Sequence, residues 1–490
     1  MRVMRSSNFL PIKKLVLLMF LAEALIGADR PSVFYLNQSR NNSPGWLGLS
    51  LYDLGHNPAF FKIANSVDFS IYSFGLNYWH NGYRRRFDSE QVRNYDLCFY
   101  NVKTLNEKAT IASYAGYARM DFDSQPQSLE KNFYDHYFAL IDTTTGNLSY
   151  KSPHLGFLYH YSLNAKVLAG FEINYAVERG LKDVYTQCET ILRDVDLKTG
   201  IGLDLTAIAA QLGIYGRIFN RQGKYEAVQE QIAPQVFTYF GYHVVKRENA
   251  TDLIRKNDSN QGYELGLNLM RVNFIWSDLT LMLSGSWMGA ENEVTVGSIA
   301  RPDPRGYGVG SEKKAFAVVQ YFPPTKRLGF RLSYTYQNLA DWAKSGLYDV
   351  LILDNKVQCH QWDLLLRQRL NSAFEIVVGG NYEITFNDYR EYIVNFNYDK
   401  HQSRAESLIK LHTCPTALTS LDIGGSYSNY IPDFHWNTER FQVFDFQTTI
   451  ERLTTFGILG FSLNCGISTP QETARNNLMI GTGLYLKKNY

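Results

Sequence analysis

The chain has 490 residues, of which 20% are charged, with 49 Lys and Arg against 47 Asp and Glu for a formal net charge of +2. That balance gives no electrostatic case for nucleic acid or for an acidic partner. The five cysteines, Cys98, Cys188, Cys359, Cys414 and Cys465, lie far apart with no C-x-x-C pair, so the common zinc and thioredoxin-type spacings are missing.

The first residues have the layout of a secretory signal. Arg2, Arg5, Lys13 and Lys14 supply a positive region, Leu15 to Leu21 opens an apolar core, and cleavage is expected after Ala24 or Ala28. The expected division is a signal peptide over 1–28, an N-terminal segment over 29–65 and a β-barrel over 66–490. Beyond the signal no run of 18 apolar residues occurs, which excludes a helical membrane span.

From Tyr72 onward the sequence alternates. In Val167–Val177 the odd positions read Val, Ala, Phe, Ile, Tyr, Val, while the even ones include Glu172 and Asn174. A strand sends successive side chains to opposite faces, so this segment has one apolar and one polar face. Similar segments follow in order at 72–78, 155–161, 201–207, 263–269, 279–287, 328–336, 362–366, 374–382, 421–427 and 478–486, with weaker ones between. Lipid outside and a polar interior would use both faces. The mean hydropathy of -0.26 fits, because half of each strand is then polar. Aromatics, 14% of the chain with 34 Tyr and 30 Phe, suit interfacial girdles.

The connections sharpen this picture. Short ones fall near 104–108, 163–165, 209–211, 274–278, 323–327, 370–373, 413–417 and 450–454. Longer ones, such as 122–150, 180–198, 220–260 and 384–402, alternate with them. This is the asymmetry between periplasmic turns and outer loops. The expected fold is all-β, a transmembrane antiparallel up-and-down barrel of about 18 strands, 14–16 if weak strands merge into loops, with a polar or plugged lumen. Register can be read on one hairpin. Leu155–Tyr161 and Val167–Val177 both keep their apolar face on odd numbers, so paired numbers must sum to an even number, and a three-residue loop at 163–165 is expected.

The end of the chain resembles the last strand of outer-membrane barrels, the segment recognised for insertion. Leu484 and Leu486 fall on one face and Tyr490 supplies a terminal aromatic, with Lys488 departing from the pattern. The resemblance implies the outer membrane of a Gram-negative bacterium, contact with outer-membrane lipid and lipopolysaccharide, and handling by the barrel assembly machinery. Near the other end, Asn57-Pro58-Ala59, followed by Phe60, stands just before the first strong strand. It resembles the N-terminal hatch of the long-chain fatty-acid transporter family, whose segment folds into the lumen. An ordinary turn begun by Asn-Pro is the alternative reading.

Catalytic patterns are weak. No Gly-x-Ser-x-Gly elbow and no His-Glu-x-x-His motif occurs. Asp433 and His435 could stand at an outer rim but read as solvated loop groups, as does the basic cluster Tyr83-Arg84-Arg85-Arg86, whose alternative role is to attract lipopolysaccharide phosphates or an anionic solute. His154, His160 and His360 read as lumen or interface residues. Cys188 and Cys359 fall near outer loops and could pair, although unpaired cysteines are expected. No enzyme activity, metal or cofactor is expected. Glu172, Asp204, Glu264, Arg331, Glu375 and Asp422 lie on polar faces and are the candidate lumen residues. They carry both signs, which predicts no strong ion selectivity. The function this implies is a channel or transporter for a small solute; the alternative is a non-conducting scaffold for a lipoprotein, secretion or uptake partner.

Overall fold

The computed structural model describes residues 56–61 and 68–489, apart from short stretches at 132, 185, 229–234, 249–252, 276–277, 299–300, 324–326, 372, 417, 437 and 472–474. The expected signal peptide, most of the segment 29–65 and Tyr490 therefore lie outside the described residues. Eighteen of twenty strands form one antiparallel ring. β1 (Phe69–Asn81) pairs with β2 (Gln91–Asn106) on one side and with β20 (Asn477–Asn489) on the other, which closes the ring. The exception is a small hairpin between β7 (Ala210–Val228) and β10 (Leu253–Arg271), which themselves pair directly. In it β8 (Phe237–Phe240) pairs with β9 (Val244–Arg247) and joins the start of β4 (Leu140–Ser162) through Leu140↔Thr238.

Closure follows from the solvent. Hydrocarbon offers no partner for a strand edge, so a spanning sheet must pair its last strand with its first. The outward face carries the apolar stripe: Ile218 is 58% exposed and Leu265, Leu267 and Leu364 stand out likewise. The inward face carries the polar set, with Glu172 3% exposed. Such a ring with such a belt is the architecture of an outer-membrane barrel.

The short connections fall within a few residues of the expected positions, at 107–108 for the expected 104–108, at 206–209 for 209–211, and at 455–456 for 450–454, which is itself strand. On the hairpin of β4 and β5 (Val167–Lys182), Tyr161 faces Ala169 and Ser162 faces Leu168, so the sums are even. The three-residue turn is corrected to a wider loop. There Asn164 Oδ1 accepts the backbone N–H groups of Lys166 and Val167 at 2.8 Å each, and the Leu163 N–H bonds Val167 O at 2.9 Å.

The expected long outer loops are corrected more deeply. Of 384–402, only 392–395 lies outside β15 (Phe374–Glu391) and β16 (Phe396–Thr416). β4 has 23 residues, whereas about 9–11 suffice to cross the hydrocarbon. The outer half of such strands stands in water on its outside, so nothing enforces apolar alternation there. Backbone pairing continues although the sequence pattern stops.

Candidate functional site

The lumen is occupied at both ends, and the inner occupant is the segment Asn57–Phe61. Pro58–Phe60 forms one 3-10 turn, with Pro58 at its first position and Asn57 as its cap. Asn57 Oδ1 accepts the Ala59 N–H at 3.1 Å, which satisfies a donor that the turn leaves open. Its Nδ2 donates to Asn268 Oδ1 at 3.2 Å and to Ile214 O at 3.4 Å. Asn57 and Ala59 are wholly buried and Phe60 and Phe61 nearly so.

The turn fits because the wall is notched. Gly170 of β5, Gly200 and Gly202 of β6 (Gln187–Leu205) and Gly213 of β7 all face inward beneath it. A Cβ on Gly170 would strike Pro58 O, one on Gly200 the Asn57 amide, and one on Gly213 the Phe60 ring. At Gly202 it would lie 2.8 Å from Phe60 Cε1. Phe60 and Phe61 belong to one apolar cluster with Phe69, Tyr100, Leu158 and Met282, which come from other parts of the ring. All four glycines lie near the short-turn end of their strands, so this occupant sits at the periplasmic end. The sequence reading missed them, although glycines on the polar face of three successive strands are a usable signal of close backbone approach.

The candidate lumen residues are dispersed around the wall. Glu264 and Glu172 belong to one charged region: Arg217 Nε donates to Asp196 Oδ2 at 2.8 Å, Arg217 Nη1 reaches Glu264 Oε2 at 3.4 Å, and Tyr215 OH donates to Glu264 Oε1 at 2.8 Å. Glu172 accepts from Asn174 Nδ2 at 2.8 Å and interacts with Lys198. Asp204 accepts from Gln211 at 3.4 Å near the inner end. Glu375 pairs with Arg369 at 3.4 Å and Asp422 bonds His412 Nδ1 at 2.5 Å. Arg331 faces the lumen opposite Leu365 and Gln320. These groups brace neighbouring strands and do not converge on one centre. Leu484 and Leu486 point to the lipid side of β20, opposite in phase to Tyr485, which packs inward.

The outer end is filled by connections that fold inward. Phe240 of β8 packs with Leu129, Phe138, Ile352 and Tyr389 in a cluster that reaches strands far apart in the ring. Gly241 takes φ +70, which brings the hairpin turn against Glu391, where the Tyr242 N–H bonds Oε1 at 2.8 Å. Tyr137 OH donates to Asp341 Oδ2 at 2.7 Å from the connection 129–139. Two buried ion pairs pin these connections to the wall, Lys256 to Glu130 at 2.8 Å and Arg305 to Glu248 at 2.7 Å, and a third, Lys182 to Asp142 at 2.8 Å, ties β5 to β4 at the same end.

The rim residues read as solvated are corrected, because they help close this end. The His435 ring lies 4.3 Å from Tyr242 and 4.0 Å from Phe434. Burial, with Arg85 and His243 nearby, pulls the His435 pKa down to about 3, so this ring is neutral at ordinary pH. Burial also raises Asp433 above the usual carboxylate range and moves Tyr134 up to about 12. Arg85 pairs with Asp88 at 2.9 Å and lies 4.0 Å over the Tyr134 ring. All five cysteines are free thiols, Cys188 and Cys359 included.

Solved structures with similar coordinates include the ferric yersiniabactin uptake receptor FyuA from Yersinia pestis, with a TM-score of 0.47, 7% identity, 88% of this chain covered and 81% of that one. The ferric preacinetobactin receptor BauA from Acinetobacter baumannii follows at a TM-score of 0.44 and 10% identity, over 86% of this chain and 80% of that one. The monoaromatic hydrocarbon channel CymD gives a TM-score of 0.34 and 10% identity, over 91% of this chain and 95% of that one. No curated protein matches the sequence. One family model does, from Pro58 in the lumenal turn to Leu486 in the last strand. The chain belongs to that family, the family of unknown function DUF6850.

Proposed function

We propose that this chain is a non-enzymatic outer-membrane channel or transporter for a small solute, with Asn57, Pro58, Ala59 and Phe60 as its inner hatch. The observation that carries the reading is the seating of that turn in a notch of four glycines. A wall shaped to receive a movable segment makes sense where something must pass when the segment leaves. The resemblance of Asn57-Pro58-Ala59 to the hatch of the fatty-acid transporter family is part of this proposal. Leu484 and Leu486, with Tyr490 beyond, are the expected insertion signal, read by the barrel assembly machinery, and lipid with lipopolysaccharide is the expected surround.

A scaffold for a lipoprotein or uptake partner is the second reading, favoured by lumen charges that satisfy one another, as at Arg217 with Asp196 and Glu264. Entry of small neutral and charged solutes into proteoliposomes holding the purified chain separates the two. Channel function predicts uptake without strong charge preference. Vesicles as tight as protein-free ones, with a partner co-purifying from the membrane, would replace the channel by the scaffold.

A further inference from the structure

Outward of the hatch, three adjacent strands bring unlike ligand groups together on the lumen side. β2 supplies Asp96 and Cys98, two residues apart and so on one face. β3 (Ala109–Ser128) supplies Tyr114 and Gly116, and β4 supplies His154. Cys98 stands opposite Gly116, which stands opposite His154, so the three form one row across the wall. One carboxylate oxygen of Asp96, Cys98 Sγ and a ring nitrogen of His154 lie within 4.8 Å of one another. The glycine makes this possible, since a Cβ on Gly116 would collide with His154 Nε2.

The hydrogen bonds orient the set. His154 Nδ1 lies 3.0 Å from the Ser152 carbonyl oxygen, which can only accept. Nδ1 therefore carries the ring proton, and Nε2 turns its lone pair toward the cluster, where the Tyr114 hydroxyl meets it. A metal-ligating histidine is commonly fixed this way, by a backbone carbonyl on its other nitrogen. Cys98 Sγ donates to Asp96 Oδ2 at 3.1 Å. All three ligand residues are half-buried, so an ion can reach them from the lumen.

We propose that Asp96, Cys98 and His154 bind a borderline divalent cation of the zinc class. One thiolate, one imidazole and one carboxylate is a donor set that such an ion accepts, whereas magnesium or calcium would call for oxygen alone. Tetrahedral coordination with the usual bond lengths holds ligand atoms about 3.3–3.5 Å apart, within reach of small side-chain rotations here. Binding forms metal–sulfur, metal–nitrogen and metal–oxygen bonds and releases the Cys98 thiol proton to solvent. The fourth position goes to water or to the Tyr114 hydroxyl. This site is separate from the hatch reading and stands without it.

The test is titration of the full-length folded chain in detergent with Co²⁺, whose sulfur-to-metal charge-transfer band reports thiolate ligation, followed by Zn²⁺. One equivalent of cobalt should give the band and zinc should displace it. Cys98→Ser should abolish the band, and His154→Gln should weaken cobalt binding roughly tenfold or more. Cys414→Ser, which changes a thiol 3.5 Å from His412 Nε2, should leave it intact. Each variant is compared only when it keeps the resistance of a folded barrel to protease. Absence of the band in the folded native chain, a band that survives Cys98→Ser or disappears with Cys414→Ser, or cobalt that zinc fails to displace would each overturn the proposal.

Discussion

The two ends of the lumen are closed by different physics. The inner end is held by the five-residue segment Asn57–Phe61, anchored by one asparagine and two phenylalanines in a glycine notch. The outer end is held by several connections tied to the wall through aromatic packing and buried ion pairs such as Lys256 with Glu130 and Arg305 with Glu248. Burying each Phe ring is worth about 1.5–3 kcal/mol. Each Asn57 hydrogen bond adds about 1 kcal/mol. Removing one partner of a buried ion pair, by contrast, costs about 3–5 kcal/mol. In the proposed reading the inner closure is the part that moves, because it hangs on one short segment, whereas the outer closure is shared among several connections.

The strongest way to break this contrast is to remove both closures. A chain lacking residues 29–61 and the β8–β9 hairpin should show large steady openings in planar bilayers, whereas either deletion alone should give smaller, flickering ones. Next in size, Lys256→Met leaves the Glu130 carboxylate buried without its cation. It should cost about 3–5 kcal/mol, read as earlier proteolysis of the connection 129–139 with the hatch unaffected. Gly213→Leu acts at the opposite end. Its side chain needs the space of the Phe60 ring, so the turn should be expelled and the open fraction raised while the barrel stays folded.

Asn57→Ala is milder. Losing the cap and the two donated bonds should cost about 3 kcal/mol, a rise of roughly 150-fold in the undocked population, visible as faster hydrogen exchange of the Ala59 amide. The smallest effect is that of pH on the outer closure. His435 titrates near 3 when buried and near its ordinary value when released, so the released loop binds more protons between those values. Its docking contribution is complete above about pH 6.5 and declines as the pH falls toward 3. Asp433, raised by burial, opposes this near its own titration. Loop 431–440 should show lower protection relative to the intrinsic exchange rate at pH 5 than at pH 7, and His435→Phe should flatten that dependence.

How much was legible in the sequence follows the same division. Where lipid touches the strands, as at Val167–Val177, alternation is enforced and the reading of strand number holds, with turns displaced by a few residues. Beyond the bilayer, water on the outside lifts the constraint, so the outer halves of β15 and β16 read as loop although they are paired strand. The turn Asn57–Phe60 was visible as a local motif, but its seat was not, because Gly170, Gly200 and Gly213 meet only after the ring closes. Asp96, Cys98 and His154 were invisible as a set for the same reason: the spacing that unites them is lateral, across three strands. His435 was misread because exposure was inferred from position in a connection, and this connection folds inward.

The central claim is that the lumen conducts when Asn57–Phe61 leaves its notch. It is tested most directly by single-channel recording of the chain lacking 29–61, with a synthetic peptide of residues 50–61 added back from the side of the short turns. The account predicts openings that the intact chain rarely shows and that the peptide closes. A trace identical to that of the intact chain, or openings indifferent to the peptide, would contradict it.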